Sequence, residues 1–171
     1  MYSPDYHAEM FARQIIPAVA AIGCVLGAGL SAVAASAQTA ETPYWASISV
    51  SRVFMRVGPS MNYPIEWVYK REGLPVKVLR VNEGWRYVED PDGKRGWMAS
   101  RMLSRTRAAI VTGEGNAAIR AEGSASAALR WHVAPGVVGE LGECSAGWCA
   151  FSVRGHRGFV EADRLWGDGD P

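Results

Sequence analysis

Met55-Arg56-Val57-Gly58-Pro59-Ser60 returns sixty-four positions later as Ile119-Arg120-Ala121-Glu122-Gly123-Ser124, and Trp67 returns as Trp131 at the same offset. Gly84-Trp85 then matches Gly147-Trp148, Gly96-Trp97 matches Gly158-Phe159 and Leu103 matches Leu165, at offsets of 62 or 63. Self-similarity at a fixed period marks a repeated structural unit. Two short deletions in the second copy account for the slips.

Each copy reads as short strands between turns. Val76, Val78 and Val81 fit period-2 alternation imperfectly, and Trp85 and Tyr87 follow after Asn82-Glu83-Gly84, which makes a hairpin. Asp90-Pro91-Asp92-Gly93 is a further turn, because proline presets φ and glycine accepts the positive φ that closes it. The segment from Lys94 to Met98 then returns as a strand. In the second copy, Val137 to Glu143, Trp148 to Val153 and Arg157 to Val160 are the strands, with turns at Ser145-Ala146-Gly147 and Arg154-Gly155-His156. No run of ten or more residues in either copy has helical spacing with caps, so the expected fold class is all-β.

Ahead of the copies, Ile15 to Ala35 carries no charge and ends in Ala35-Ser36-Ala37, the small-residue pattern of a signal-peptidase site. The expected organisation is a signal peptide over 1–37, a first domain over 44–112 and a second over 113–168. An uncleaved anchor is the alternative, since the run just reaches the length that spans a bilayer, and only in that case would the protein touch a membrane. Asp5 and Glu9 precede the run without a basic residue, whereas a start at Met10 would place Arg13 at its head. Cys24 faintly resembles a lipoprotein processing site, but Ala21 stands where leucine is usual and the apolar run continues past it.

Cys144 and Cys149 make an even pair in a chain expected to be exported to the periplasm, where thiols oxidise, so a bridge is the default reading. Facing hairpin positions would put their Cα atoms within disulfide range. The aligned positions in the first copy are Val81 and Arg86, so that copy lacks the bridge. A structural zinc site would need four ligands, and beyond the cysteine pair only His132 and His156 remain, so no metal is expected. A cysteine peptidase would need a free thiol and a selected histidine base. Gly113-Glu114-Gly115-Asn116-Ala117-Ala118 loosely fits a dinucleotide motif, but no helix follows and position 133 is Val, so it reads as the linker between domains.

Residues 38–171 hold 17 basic and 15 acidic side chains, which gives no case for nucleic acid as a partner. The halves differ: residues 44–112 hold 12 basic and 6 acidic groups, and residues 113–171 hold 5 and 8. At about 55 to 65 residues, each copy lies near the lower limit for a self-sufficient core, which explains the density of Trp and Val.

Arg56-Val57-Gly58-Pro59-Ser60, Trp85-Arg86-Tyr87-Val88, Gly96-Trp97 and Leu103 resemble the bacterial SH3-like (SH3b) domain, whose motif runs R-x-G-P-S, G-W-x-x-V, G-W-V, L. Tyr63-Pro64-Ile65-Glu66-Trp67-Val68-Tyr69 with Gly73-Leu74-Pro75-Val76 is similar to the SH3-like proteins exported by many alphaproteobacteria. The second copy keeps Arg120, Ser124, Trp131, Trp148, Gly158, Leu165 and Trp166, with Phe159 in place of the usual tryptophan.

The resemblance implies two tandem small barrels of five or so strands, no catalysis and no cofactor, and a role in binding cell-wall (peptidoglycan) peptides or a periplasmic protein. SH3 domains take extended peptides on aromatic grooves, which makes Tyr63, Trp67, Tyr69, Trp85 and Tyr87 the candidate ligand-binding residues. Trp85 and Trp97 also read as core, and Arg56 and Arg120 as a shared structural contact such as a salt bridge. Two other readings stand beside this one. The barrels could pack face to face and bury their aromatic surfaces, or the chain could be an accessory subunit of a cell-wall hydrolase.

Overall fold

The computed structural model describes residues 41–171, so the signal-peptide, Met10 and Cys24 readings lie outside the described residues. The first copy supplies β1 (Tyr44–Ile48), β2 (Val53–Arg56), β3 (Ile65–Tyr69), β4 (Pro75–Asn82), β5 (Trp85–Glu89), β6 (Arg95–Ala99) and the two-residue β7 (Leu103–Ser104). The second supplies β8 (Ala108–Val111), β9 (Ala117–Arg120), β10 (Leu129–Val133), β11 (Val138–Ser145), β12 (Trp148–Val153), β13 (His156–Glu161) and β14 (Leu165–Trp166). The sheets share one order, β3-β2-β6-β5-β4-β1-β7 and β10-β9-β13-β12-β11-β8-β14. The fold is all-β, two tandem SH3-like domains, and the five or so strands expected of each become seven once the short closing strands are counted.

Two features go beyond the sequence reading. β8 pairs with β11 and β14, so the second domain's sheet begins at Ala108 and the break between sheets falls at 105–107 rather than after residue 112. Gly113 to Asn116 is therefore the turn between β8 and β9, with Gly113 and Gly115 at positive φ, and not a linker. The second is a bulge in β4 that explains the imperfect alternation of Val76, Val78 and Val81. Register shifts between Val78 and Arg80, so Leu79 is an extra residue that restarts the period; Val76 and Val78 are buried while Val81 is exposed.

Each sheet curls around its own core. Ile48, Val53, Met55, Val76, Val78, Val88 and Met98 fill the first, and Val111, Ile119, Leu141, Phe151 and Val160 the second. Glycine is favoured where strands pack closely: a Cβ on Gly96 would overlap the Met55 side chain, and one on Gly158 would overlap Ile119 and lie 2.7 Å from the Arg120 carbonyl oxygen. The domains also touch one another. Trp45 packs edge-on against Trp166 with ring centroids 4.8 Å apart, and its Nε1 donates to the Gly169 carbonyl at 3.1 Å. Ile110 and Val138 of the second domain pack against the first core.

The cysteines are bonded to each other, with Cα atoms 4.0 Å apart at facing positions of β11 and β12. The two-residue turn Ala146-Gly147 has positive φ at both positions, the hairpin geometry that matches strand twist. At the aligned pair of the first domain, Arg86 faces Val81. Its guanidinium donates to the Tyr44 hydroxyl and to the carbonyls of Glu83 and Trp85, clasping the turn without a covalent link.

Replacing Cys144 and Cys149 together by Ala should lower stability by about 2 kcal/mol, the chain-entropy value for so short a loop. Urea unfolding followed by tryptophan fluorescence checks this.

Candidate functional site

The loop between β2 and β3 is fixed by a buried arginine. Arg56 is 8% exposed and its Nη1 donates to the Tyr63 carbonyl at 2.6 Å. The Tyr63 ring lies over Gly58, where an added Cβ would sit 2.6 Å from three ring carbons. Tyr63 is thus held by its carbonyl and its ring while 46% of it faces solvent. Arg120 repeats the tie in the second domain, donating to the Ala127 carbonyl at 2.8 Å. The shared structural contact expected of the two arginines is real, but its acceptor is a backbone carbonyl rather than a carboxylate.

Directly opposed residues of antiparallel strands share a face. Arg80, Tyr87, Trp97 and Arg56 oppose one another in turn across β4, β5, β6 and β2. Their row is the outer face, because the neighbouring row of Val78, Val88 and Gly96 is buried. Trp85 lies on the same outer face as Tyr87, two residues away, and is half-buried rather than core, as is Trp97. Tyr87 and Trp97 pack with centroids 5.2 Å apart, and the Arg80 guanidinium lies 4.3 Å from the Tyr87 ring centre. Trp85 joins Phe54 and Met61 in lining a cleft of about 200 Å³.

Trp67 and Tyr69 stand on the opposite side of the sheet, facing Met55 and Val53. Trp67 emerges at the rim, with the Lys94 ammonium 4.8 Å from its ring centre. Tyr69 is 7% exposed and donates its hydroxyl to Asp90 Oδ2 at 2.6 Å. Tyr69 is therefore removed from the candidate surface, since its ring is in the core and its hydroxyl is taken. Asp90 is itself buried, and its Oδ1 accepts from the backbone N–H groups of Asp92 and Lys94, so one carboxylate anchors both the turn and the core phenol. Burial, then the Asp90 hydrogen bond and charge, hold the Tyr69 phenol well above the ordinary tyrosine range. The five candidate residues do not line one groove. Tyr63, Trp85 and Tyr87 are open to the loop side and outer face, Trp67 sits at the rim, and Tyr69 is interior.

The sequence reading passed over Phe54, Val57, Met61, Ile65 and Val68, which are also exposed. Among the described residues, seven of the nine exposed large hydrophobic side chains, these five with Tyr63 and Trp67, lie on the segment from β2 to β3. The corresponding segment of the second domain exposes only Leu129 from that set and is otherwise rich in Ala and Ser. β3 is moreover an end strand of its sheet, and an end strand offers unpaired backbone groups to another chain. The signal was present in Val53-Phe54-Met55: with Val53 and Met55 inside, alternation puts Phe54 outside.

Bonding between Cys144 and Cys149 removes the thiols that the zinc and cysteine-peptidase readings required. Among the described residues no group of three or more His, Cys, Asp or Glu is placed to hold a metal ion.

The geometry defines a pair of small β domains, one of which presents an apolar edge. The chain belongs to the bacterial SH3 domain family, whose model matches residues 49–105 and again 113–167. No curated protein matches it. Among solved structures, NlpC2 from Trichomonas vaginalis is 17% identical over 73% of this chain and 48% of that one, with a TM-score of 0.34. An NlpC/P60 family protein from Bacillus cereus ATCC 10987 is 13% identical over 72% of this chain and 56% of that one, with a TM-score of 0.32. The chain thus spans about half the length of these structures, and likeness at that level carries no argument about function.

Tyr69→Phe tests the buried pair. The folded phenol keeps its proton above the ordinary value of 10.0 while the unfolded phenol loses its own, so wild-type stability is full below that pH and falls as pH rises through it. The slope contributed by this one group is up to about 1.4 kcal/mol per pH unit. Urea unfolding followed from about pH 8 to about pH 11 should show that component in the wild type and its loss in Tyr69→Phe.

Proposed function

We propose that this protein is an exported, non-catalytic binding module whose first domain takes an extended peptide, from the cell wall or from a periplasmic protein, along the β2–β3 edge. The observation that carries this reading is the concentration of exposed apolar side chains on that edge, with Tyr63 pinned by Arg56 and Gly58. Scattered surface hydrophobes are ordinary, whereas contiguous ones mark interaction sites. The cleft between Phe54, Met61 and Trp85 offers a pocket for one apolar side chain. The basic balance of the first domain favours acidic peptides over basic ones. Family membership supports the same reading, since bacterial SH3 domains are typically binding domains.

The alternative in which the barrels bury their aromatic surfaces together is disfavoured by the same residues. The domains meet through Trp45 and Trp166, while Phe54, Tyr63 and Trp67 stay exposed. Localisation to the periplasm rests on the apolar run before Ala35-Ser36-Ala37 and belongs to the proposal.

Residues 38–171 should co-sediment with insoluble peptidoglycan, and Phe54→Ala with Tyr63→Ala should cut the bound fraction about tenfold, as loss of aromatic anchors does. Leu129→Ala, on the equivalent segment of the second domain, should leave it unchanged. Absence of sedimentation in the wild type would transfer the assignment to a protein partner.

A further inference from the structure

The second domain has a cleft where the first has a filled surface. In the first domain the Tyr87 ring lies on the outer face against Trp97, with Arg80 stacked over it. The repeat places Ala150 at the position of Tyr87, Gly142 at that of Leu79 and Glu143 at that of Arg80. Register confirms the first match: Ala150 opposes Phe159, which opposes Arg120, just as Tyr87 opposes Trp97, which opposes Arg56. Deleting the ring leaves a cleft of about 430 Å³ lined by Gly142, Ala150 and Phe159 among others, within the size range of small-ligand pockets, roughly 300–1,000 Å³.

Its charges are arranged by strand register. Glu140, Ser152 and Arg157 oppose one another across β11, β12 and β13, which sets the backbones of Glu140 and Arg157 two strand spacings apart, about 10 Å. Arg130 joins Arg157 on the same wall, its Nη1 donating to the Arg157 carbonyl at 2.8 Å. Neither arginine is ion-paired with a carboxylate among the described residues, and Glu140 is likewise without an ion-pair partner among them. Two arginines lining one wall suit a carboxylate, which arginine recognises by charge-assisted, often bidentate, hydrogen bonds. The floor is shallow and apolar: a Cβ on Gly142 would sit 3.0 Å from that of Ala150. Small side chains fit such a floor, and Glu140, across the sheet from Arg157, would meet the amino end of a ligand held there.

We propose that this cleft over Ala150 is a second binding site, taking the free carboxyl terminus of a short peptide with small side chains. It is independent of the β2–β3 edge of the first domain and does not rest on the reading given for that edge.

The test is titration of the full chain with trialanine, of all-L and of all-D residues, followed by calorimetry and by NMR shifts. Saturable binding of either form is expected, with trialanine amide and Arg157→Gln each weakening it by roughly tenfold. Which form binds more tightly separates a ribosomal peptide from a wall-derived one. Ala150→Tyr, which restores the side chain the first domain carries at that position, should abolish binding while leaving the unfolding midpoint near wild type. Phe54→Ala with Tyr63→Ala should leave trialanine binding intact. No binding of either form, equal binding of the amide, or binding retained in a folded Ala150→Tyr variant would overturn the proposal.

Discussion

A guanidinium shielded from water is costly unless its donors find acceptors, and Arg56, on the outer face yet 8% exposed, gives its Nη1 to the Tyr63 carbonyl seven residues on. Arg120, half-buried, gives its Nη1 to the Ala127 carbonyl over the same span. Because the acceptor is main chain, the tie fixes the path of the β2–β3 connection whatever side chains the connection carries. In the first domain that path supports Tyr63 over Gly58, and in the second it supports Ala125, Ala127 and Ala128. One interaction therefore holds the scaffold in both copies while leaving the exposed residues free to differ.

The same separation of frame and filling recurs in the interior. Tyr69 and Asp90 form a buried hydrogen-bonded pair in the first domain, and the repeat puts Val133 and Val153 in their places. A polar pair and an apolar pair both satisfy the requirement that no buried polar group be left without a partner. At the hairpin of β4 and β5, Arg86 clasps carbonyls and the Tyr44 hydroxyl, whereas the second domain uses a disulfide at the matching register. The outer faces diverge by the same kind of exchange, Tyr87 against Ala150, which turns a stacked surface into a cleft.

The repeat was legible by direct comparison of the two copies, and the all-β class, the turns and the cysteine bridge because each depends on residues close in sequence. The turn at Asp90-Pro91-Asp92-Gly93 is held by Asp90 itself, whose carbonyl accepts from Gly93 N–H and whose side chain accepts from Asp92 and Lys94. The candidate surface was legible only in part, because the side of a sheet on which a residue stands depends on register. The shift between Met55 and Arg56 lets Ile65 face Arg56 while Trp67 faces Met55, so the β3 aromatics separate from Trp85 and Tyr87. Nothing local in Tyr63 to Tyr69 announces that shift. The start of the second domain shows itself only in the fold: Gly73 N–H donates to the Ile48 carbonyl and Gly136 N–H to that of Val111, an offset of 63 that assigns β8 to the second copy.

Linkage between the domains is set by contact more than by the connection at 105–107. Trp45 of β1 is buried against Trp166, and the chain beyond β14 returns to it through the Gly169 carbonyl. Arg107 donates to the Gly167 carbonyl and Arg71 to that of Gly136, adding polar ties from the linker and from the first domain. Paired domains move relative to one another by default unless apolar contact holds them, and here the tryptophan pair with Ile110 and Val138 supplies that contact. None of these residues belongs to the exposed β2–β3 edge or to the cleft over Ala150. The interface thus consumes neither surface, and the association that gives each small core a neighbour leaves both faces accessible on one body.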